Sequence, residues 1–307
     1  MNKWYGRTDL ALENKEWLQS RQITLEEGVL AVEKKGTFVT LTEVEIQTPK
    51  ASEQMGKPMG RYWTIEGETL KENHPEALEE AGAVVEDALK RLMGLKGNET
   101  VLVVGLGNWN VTPDALGPKV VQQVFVTRHL QQTLPKELAE TFRPLAAVSP
   151  GVMGLTGLET GEMVRGIVQQ AKPDVVLAVD ALAARKFSRI NTTIQLSDTG
   201  IAPGSGVGNK RMALSKETLG VPVFAIGVPT VVDAATLVYD TLALAQAEES
   251  RWEETVEEVL VPYASQLFVT PKEMDAVVDR LAATLASAIN AAVHPNFKRK
   301  DQGRFFH

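Results

Sequence analysis

"VLVVGLGNWNVTPDALGPK" runs from Val101 to Lys119, and its first seven residues, Val101 to Gly107, are all apolar or glycine. So short and continuous an apolar run suits a strand buried on both faces, as strands of parallel sheets are. "DVVLAVDA" (Asp174 to Ala181) and "VPVFAIGVP" (Val221 to Pro229) repeat the texture. Helical patterns fall between these runs, around 114–124, 160–171 and 231–247. The alternation predicts an α/β fold, a mostly parallel or mixed sheet flanked by helices.

Toward the N-terminus the pattern changes to a β-rich portion spanning about 22–66. "GTFVTLTEVEIQ" (Gly36 to Gln47) is β-branched and partly alternating, with a slip between Leu41 and Val44 that a bulge would absorb. "GRYWTIE" (Gly60 to Glu66) reads as a further strand, and "TTIQL" (Thr192 to Leu196) as another. A helix is predicted over Pro75 to Met93, because Leu78, Ala81, Val85, Leu89 and Leu92 share a face and Gly94 stops it. The last long helix is predicted from Pro271 to Val293, with Met274, Val278, Leu281, Leu285 and Ile289 in one stripe. Thr270 would cap it and Glu273 close the capping box. No repeat or low-complexity linker divides the chain, which favours one principal domain.

Composition narrows the function classes. The chain has 307 residues, 44% of them apolar and 23% charged, within the ordinary globular range. A net charge of −7 argues against broad nucleic-acid binding, which needs a positive face. The basic tail "FKRKDQGRFFH" is a local exception that reads as a solvated end. With no cysteine there is no thiolate nucleophile and no disulfide framework. No apolar run approaches the ~20 residues of a membrane span. The first residues, "MNKWYGRTDLALENKE", lack the apolar core of a secretory signal, so a cytoplasmic setting is expected.

The chemistry concentrates on two aspartates. "VTPDALGPK" and "AVDALAAR" each place Asp-Ala-Leu just beyond an apolar run, at Asp114 and Asp180. Open α/β sheets gather ligands beyond the carboxyl ends of their strands. Asp114 reads either as a helix cap after Thr112-Pro113 or as half of an acid pair. Asp180 ends an apolar run, where a carboxylate without a partner is costly. Asp233 stands three residues after Thr230, at capping-box spacing, and reads as structural. The glycine-rich loop "PGSGVGNK" offers Gly204, Gly206, Gly208 and Asn209 as a candidate cradle for substrate or an oxyanion, and equally as a plain turn. "GLGNWN" has Asn110 where a dinucleotide fingerprint needs its third glycine, which counts against a nucleotide-binding enzyme. His74, His129, His294 and His307 form no close metal-ligand pair, and there is no G-x-S-x-G elbow.

Taken together, "LVVGLGN", "VTPDALGPK", "VTRHL", "SPGVMGLTGLET", "DALAAR", "SDTGIAPGSGVGNKR", "GVPTVVDA" and "VTPKEMD" resemble, in order, the germination protease family of spore-forming bacteria. The stretch between the last two segments is more compact here than in some members. The resemblance implies an endopeptidase that degrades small acid-soluble spore proteins, with a fold similar to hydrogenase-maturation proteases. It implies that Asp114 and Asp180 are the catalytic acids and that no cofactor is needed, a divalent metal bridging them being the second reading. "RTDLALE" (Arg7 to Glu13) resembles the family's processing site, which implies a pro-segment of residues 1–9, a cut between Asp9 and Leu10, and a catalytic domain over 10–307. The family also implies a homotetramer in the cytoplasm of the spore core, without membrane or direct nucleic-acid partners. A protein that keeps the fold but only binds spore proteins is the non-enzymatic rival.

Overall fold

The computed structural model describes residues 8–20, 23, 27–133, 141–204, 211–244, 267–294, 296, 297 and 299. One sheet of nine strands organises them: β1 (Val29–Lys35), β2 (Thr40–Ile46), β3 (Gly60–Glu66), β4 (Val101–Gly105), β5 (Leu145–Val148), β6 (Val175–Ala184), β7 (Thr193–Ser197), β8 (Val223–Asp233) and β9 (Phe268–Val269). The order is β1-β2-β3-β7-β8-β6-β4-β5, with β9 added on β8. The β8-β6-β4-β5 part is parallel, and the β1-β2-β3-β7-β8 part antiparallel. The sheet is therefore mixed, as the two sequence textures require.

The helices are α1 (Ala11–Ser20), α2 (Pro49–Met55), α3 (Pro75–Met93), α4 (Leu116–Gln123), α5 (Met153–Thr156), α6 (Thr160–Ala171), α7 (Lys216–Leu219), α8 (Ala234–Leu244) and α9 (Met274–Val293). α3 has the predicted bounds. The His74 ring accepts from the Ala77 N–H at 3.2 Å to cap it, and Gly94 ends it in the left-handed conformation at φ 57°. α9 starts later than predicted. Thr270 does not cap it but donates to the Thr230 carbonyl at 3.0 Å, and Glu273 stands at the N-cap without a side-chain bond. Asp233, not Thr230, caps α8, accepting from the Thr236 N–H at 3.0 Å.

The two faces of the sheet differ. On one face Leu41, Trp63, Ile65, Val101, Val103, Leu177, Val179, Ile194, Leu196, Ile226 and Val228 form one continuous core with α3, α4 and α9. By length and composition α9 is apolar enough to cross a membrane, which the search for apolar runs missed; here it is the central core helix on this face. On the other face the core is split. Val44, Ile46 and Tyr62 pack with α1 and α2, whereas Leu102, Val104, Val176, Ala178 and Val223 pack with α6 and α7. Between these two clusters the sheet surface borders two cavities rather than an apolar core.

Burial on both faces also explains β2. Its slip in alternation is no bulge, because pairing to β1 and β3 runs without interruption. Leu41 serves the continuous core, and Val44 and Ile46 serve the other face. β1, with Leu30 and Val32 about half exposed, is an edge strand whose pattern "VLAVEKK" carried no burial signal.

α4 sits unusually close to the strand ends. A Cβ on Gly117 would meet the Leu106 carbonyl at 2.3 Å, and one on Gly105 would meet the Gly117 carbonyl at 2.3 Å. Gly105, the first glycine of the fingerprint-like "GLGNWN", therefore serves helix-on-sheet contact, as does Gly117 of α4. Gly117→Ala should lower stability by about 1–3 kcal/mol through forced overpacking. The check is the urea midpoint at constant m-value; an unchanged midpoint would refute the close approach.

Candidate active site

β6 and β8 continue past the end of β4, a length that short apolar runs did not reveal. Both "DALAA" and "PTVVD" are strand, so β8 runs on to Asp233 through positions where a helical pattern is predicted from about 231. Asp180 is thus an interior residue of β6. It still marks the edge, since β4 ends at Gly105 opposite Val179 and the Leu106 N–H bonds the Val179 carbonyl at 2.8 Å. Across the sheet Asp180 pairs with Gly227 of β8, and Gly227 pairs with Gln195 of β7. Gln195, Gly227 and Asp180 therefore form one row on the face with the split core, with no side chain on the middle position.

Asp114 closes a single 3-10 turn, Thr112–Asp114, ahead of α4. It is not the cap of α4: Ala115 holds that position and has no side-chain bond. Gly107 fixes the loop around it. At φ 111°, a Cβ there would lie 2.0 Å from the Asp114 carbonyl oxygen, and the Asn108 N–H donates to that oxygen at 3.0 Å. Only glycine permits this approach.

Asp9, Asp114, Asp180 and Arg211 line one cavity of about 340 Å³. Burial is the main cause that pushes the Asp114 carboxyl up to about 6, against the Asn108 N–H and the charge of Arg211. Burial pushes Asp180 well above the carboxylate range, and the negative charges of Asp114 and Asp9 raise it further. The Ala181 N–H, which donates to Asp180 at 2.9 Å, and Arg211 oppose that rise without reversing it. Two carboxyls pushed up by burial, with the charge of one raising the other, are an arrangement that acid–base catalysis uses.

The N-terminal segment enters this site. The Asp9 N–H donates to the Ala183 carbonyl at 3.0 Å, and the Ala183 N–H donates back to the Asp9 carboxylate at 2.9 Å. The β6–β8 register shifts between Leu182 and Ala183, where β6 meets Asp9. Leu10 is fully buried in the main core. Beyond it, buried Glu13 accepts from the N–H groups of Arg185 and Lys186 at 2.7 and 2.9 Å and from the Thr8 hydroxyl. Arg189 ties α1 down through Glu16 at 2.6 Å and binds Glu66 of β3 at 2.8 Å.

Other predicted residues fall differently. Gly204 lines the acid cavity, and Gly206, Gly208 and Asn209 lie outside the described residues. β7 runs antiparallel to β8, so the loop after it starts away from the strand ends and returns through the Ile201–Leu214 bridge. His129 lies in a turn that does not line the cavity, and His307 lies outside the described residues. His294 is buried against Phe125, bonding its carbonyl at 3.1 Å, and burial pushes its pKa down to about 4. Arg211 was missed by sequence reasoning; its only signal was its place ending the glycine-rich loop.

The family model described as germination protease matches residues 7–247 and 242–306. The chain belongs to the germination protease family. A germination protease of Caldanaerobacter subterraneus is 44% identical, covering 98% of this chain and 98% of its own. That of Clostridium acetobutylicum is 43% identical over 97% of this chain and 98% of its own. That of Bacillus mycoides is 41% identical over 100% of this chain and 98% of its own. Among solved structures, the NiFe hydrogenase maturation protease HycI from Thermococcus kodakarensis aligns with 67% of this chain and 98% of its own, at 20% identity and TM-score 0.35. The family makes this chain a protease.

The raised acids carry a stability cost with a definite sign. A carboxyl whose folded pKa lies above its unfolded value holds its proton more tightly when folded, so stability falls as pH rises through that interval. For Asp114 the interval runs from the ordinary carboxylate range to about 6. Asp114→Asn should therefore be more stable than the wild type at pH 7, by roughly 1–3 kcal/mol, with the gap narrowing toward pH 4. Urea midpoints at both pH values check this; equal stability at pH 7 would show that the carboxyl is not held up by burial.

Proposed function

We propose that the chain is an endopeptidase that initiates breakdown of small acid-soluble spore proteins during germination, made as a zymogen that cuts itself between Asp9 and Leu10. The observation that carries this reading is the shared cavity of Asp9, Asp114 and Asp180, in a chain of the germination protease family. The ionised member of the Asp114–Asp180 pair takes a proton from water as the water attacks the scissile carbonyl. The protonated member donates to the leaving nitrogen. Like charges this close titrate as a pair, so the pH dependence belongs to both. With residues 8 and 9 lying in the cleft, the intact chain blocks its own site. We place the enzyme, as a homotetramer, in the cytoplasm of the spore core.

The pair works without a bound metal in this reading. Among the described residues Asp9, Asp114 and Asp180 share the cavity without forming a group of three arranged as metal ligands, and a chelator decides between the two-carboxylate mechanism and an ion bridging the pair. The test uses protein beginning at Leu10, mixed with a small acid-soluble spore protein and followed by intact mass, with and without chelator. Cleavage after an acidic residue is expected, lost in Asp114→Asn and Asp180→Asn by a factor on the order of 10³ or more, and unaffected by chelator. Loss on chelation would replace the two-carboxylate mechanism with a metal-assisted one. Intact substrate with every form would end the protease assignment for spore proteins and leave a binding protein.

A further inference from the structure

The Asp9 carbonyl is held in an unusual way. It accepts from the Lys57 ammonium at 3.0 Å and from the Gln195 side-chain amide at 2.9 Å. One donor satisfies a main-chain carbonyl; this one has two, from different elements, and one carries a charge. Both donors are themselves placed. Lys57 follows the left-handed turn at Gly56 that ends α2, and its own N–H bonds the Ser52 carbonyl at 3.2 Å. Gln195 is fixed at its other end, where its side-chain oxygen accepts from the Ala11 N–H at 2.7 Å.

We propose that Lys57 and Gln195 form the oxyanion site for cleavage of the Asp9–Leu10 bond. The inference rests on the processing reading above and deepens it. Asp9 lines two cavities at once, one with Asp114 and Asp180, the other with Lys57 and Gln195. In the row Gln195–Gly227–Asp180, the missing side chain at Gly227 makes room for Leu182, whose Cγ a Cβ there would meet at 2.6 Å, and Leu182 lines both cavities beside Asp9. Two strand spacings put Asp180 about 10 Å from Gln195 between backbones, and Asp9 reaches both, its carbonyl bonded to Gln195 and its carboxylate charge acting on Asp180. Burial pushes the Lys57 ammonium down, and the Asp9 and Glu13 carboxylates oppose that shift without reversing it.

The step balances. Water oxygen bonds to the Asp9 carbonyl carbon and gives a proton to the ionised carboxylate. The carbonyl π pair moves onto oxygen, where the N–H groups of Lys57 and Gln195 receive it. On collapse the carbon–nitrogen bond to Leu10 breaks, and the nitrogen leaves with a proton from the other acid. The products are the Asp9 carboxyl and the Leu10 amine.

The test follows self-cleavage of the full chain by intact mass, comparing the wild type with Lys57→Gln, Gln195→Glu and Asp180→Asn. Gln195→Glu keeps the acceptor for the Ala11 N–H and loses the donor to Asp9, so it separates seating from polarisation. Each donor variant should slow the cut by about 10²–10³-fold, while hydrogen exchange at the Ala11 amide stays protected in Gln195→Glu. Rates within about threefold of the wild type would overturn the proposal, as would loss of Ala11 protection in step with the cut, which would make the pair an anchor only. A wild-type chain that never cuts at Asp9–Leu10, while protein beginning at Leu10 cuts spore proteins, would end both the self-processing reading and this proposal. If Asp180→Asn also cut at the wild-type rate, the acid pair would fail and the donors would stand.

Discussion

A carboxyl group enclosed at the edge of a packed sheet can be neutral at moderate cost, or charged at high cost. Asp180 is 6% exposed, with the charges of Asp114 and Asp9 raising it further beyond the effect of burial. The surroundings are organised around that constraint. The overrun of β6 beyond β4 sets the depth of Asp180, the Gly107 turn sets Asp114 against it, and Arg211 limits how far both are raised.

The sheet can carry such a site because its two faces do different work. The α3–α4–α9 face holds one unbroken core, and hydrophobic burial there supplies the main driving force for folding. The opposite face has its apolar clusters only at its two ends, and the row between them has Gly227 at its centre, with the Leu182 side chain lying against it. A continuous core on that side would have filled the place where the N-terminal segment now lies. The site is therefore a gap in the packing, bounded by helices near the start of the chain and helices from its middle.

Much of this was legible in the sequence. Runs such as "VLVVG" read as buried strand because they are continuously apolar, and α3 announced itself by its stripe and Gly94, whereas its His74 cap left no recognised signal. Asp114 and Asp180 were singled out as strand-end acids, and the chain brings them to one cavity. Other features had no local signal. Where β6 ends depends on its neighbour β8, and "DALAA" suits strand or helix equally. β1 is an exposed edge, so burial wrote no pattern into it. Lys57 and Gln195 act through long-range geometry; a lone glutamine in the apolar "TTIQL" was the single trace of one of them. Thr270 looked like a cap because capping-box spacing recurs wherever Thr and Glu fall three apart, whether or not a helix begins there.

The row that joins Gln195, Gly227 and Asp180 has a temporal meaning as well as a spatial one. Its members belong to three strands, and the residue lying across them, Asp9, bonds to partners 174 and 186 positions away. Contacts of such sequence separation form late, because loop-closure entropy must be overcome before they return any free energy. No nascent or half-folded chain holds this arrangement. Under the proposed self-processing, chemistry at the Asp9–Leu10 bond is thereby confined to molecules that have finished folding, and the strand order itself acts as the clock.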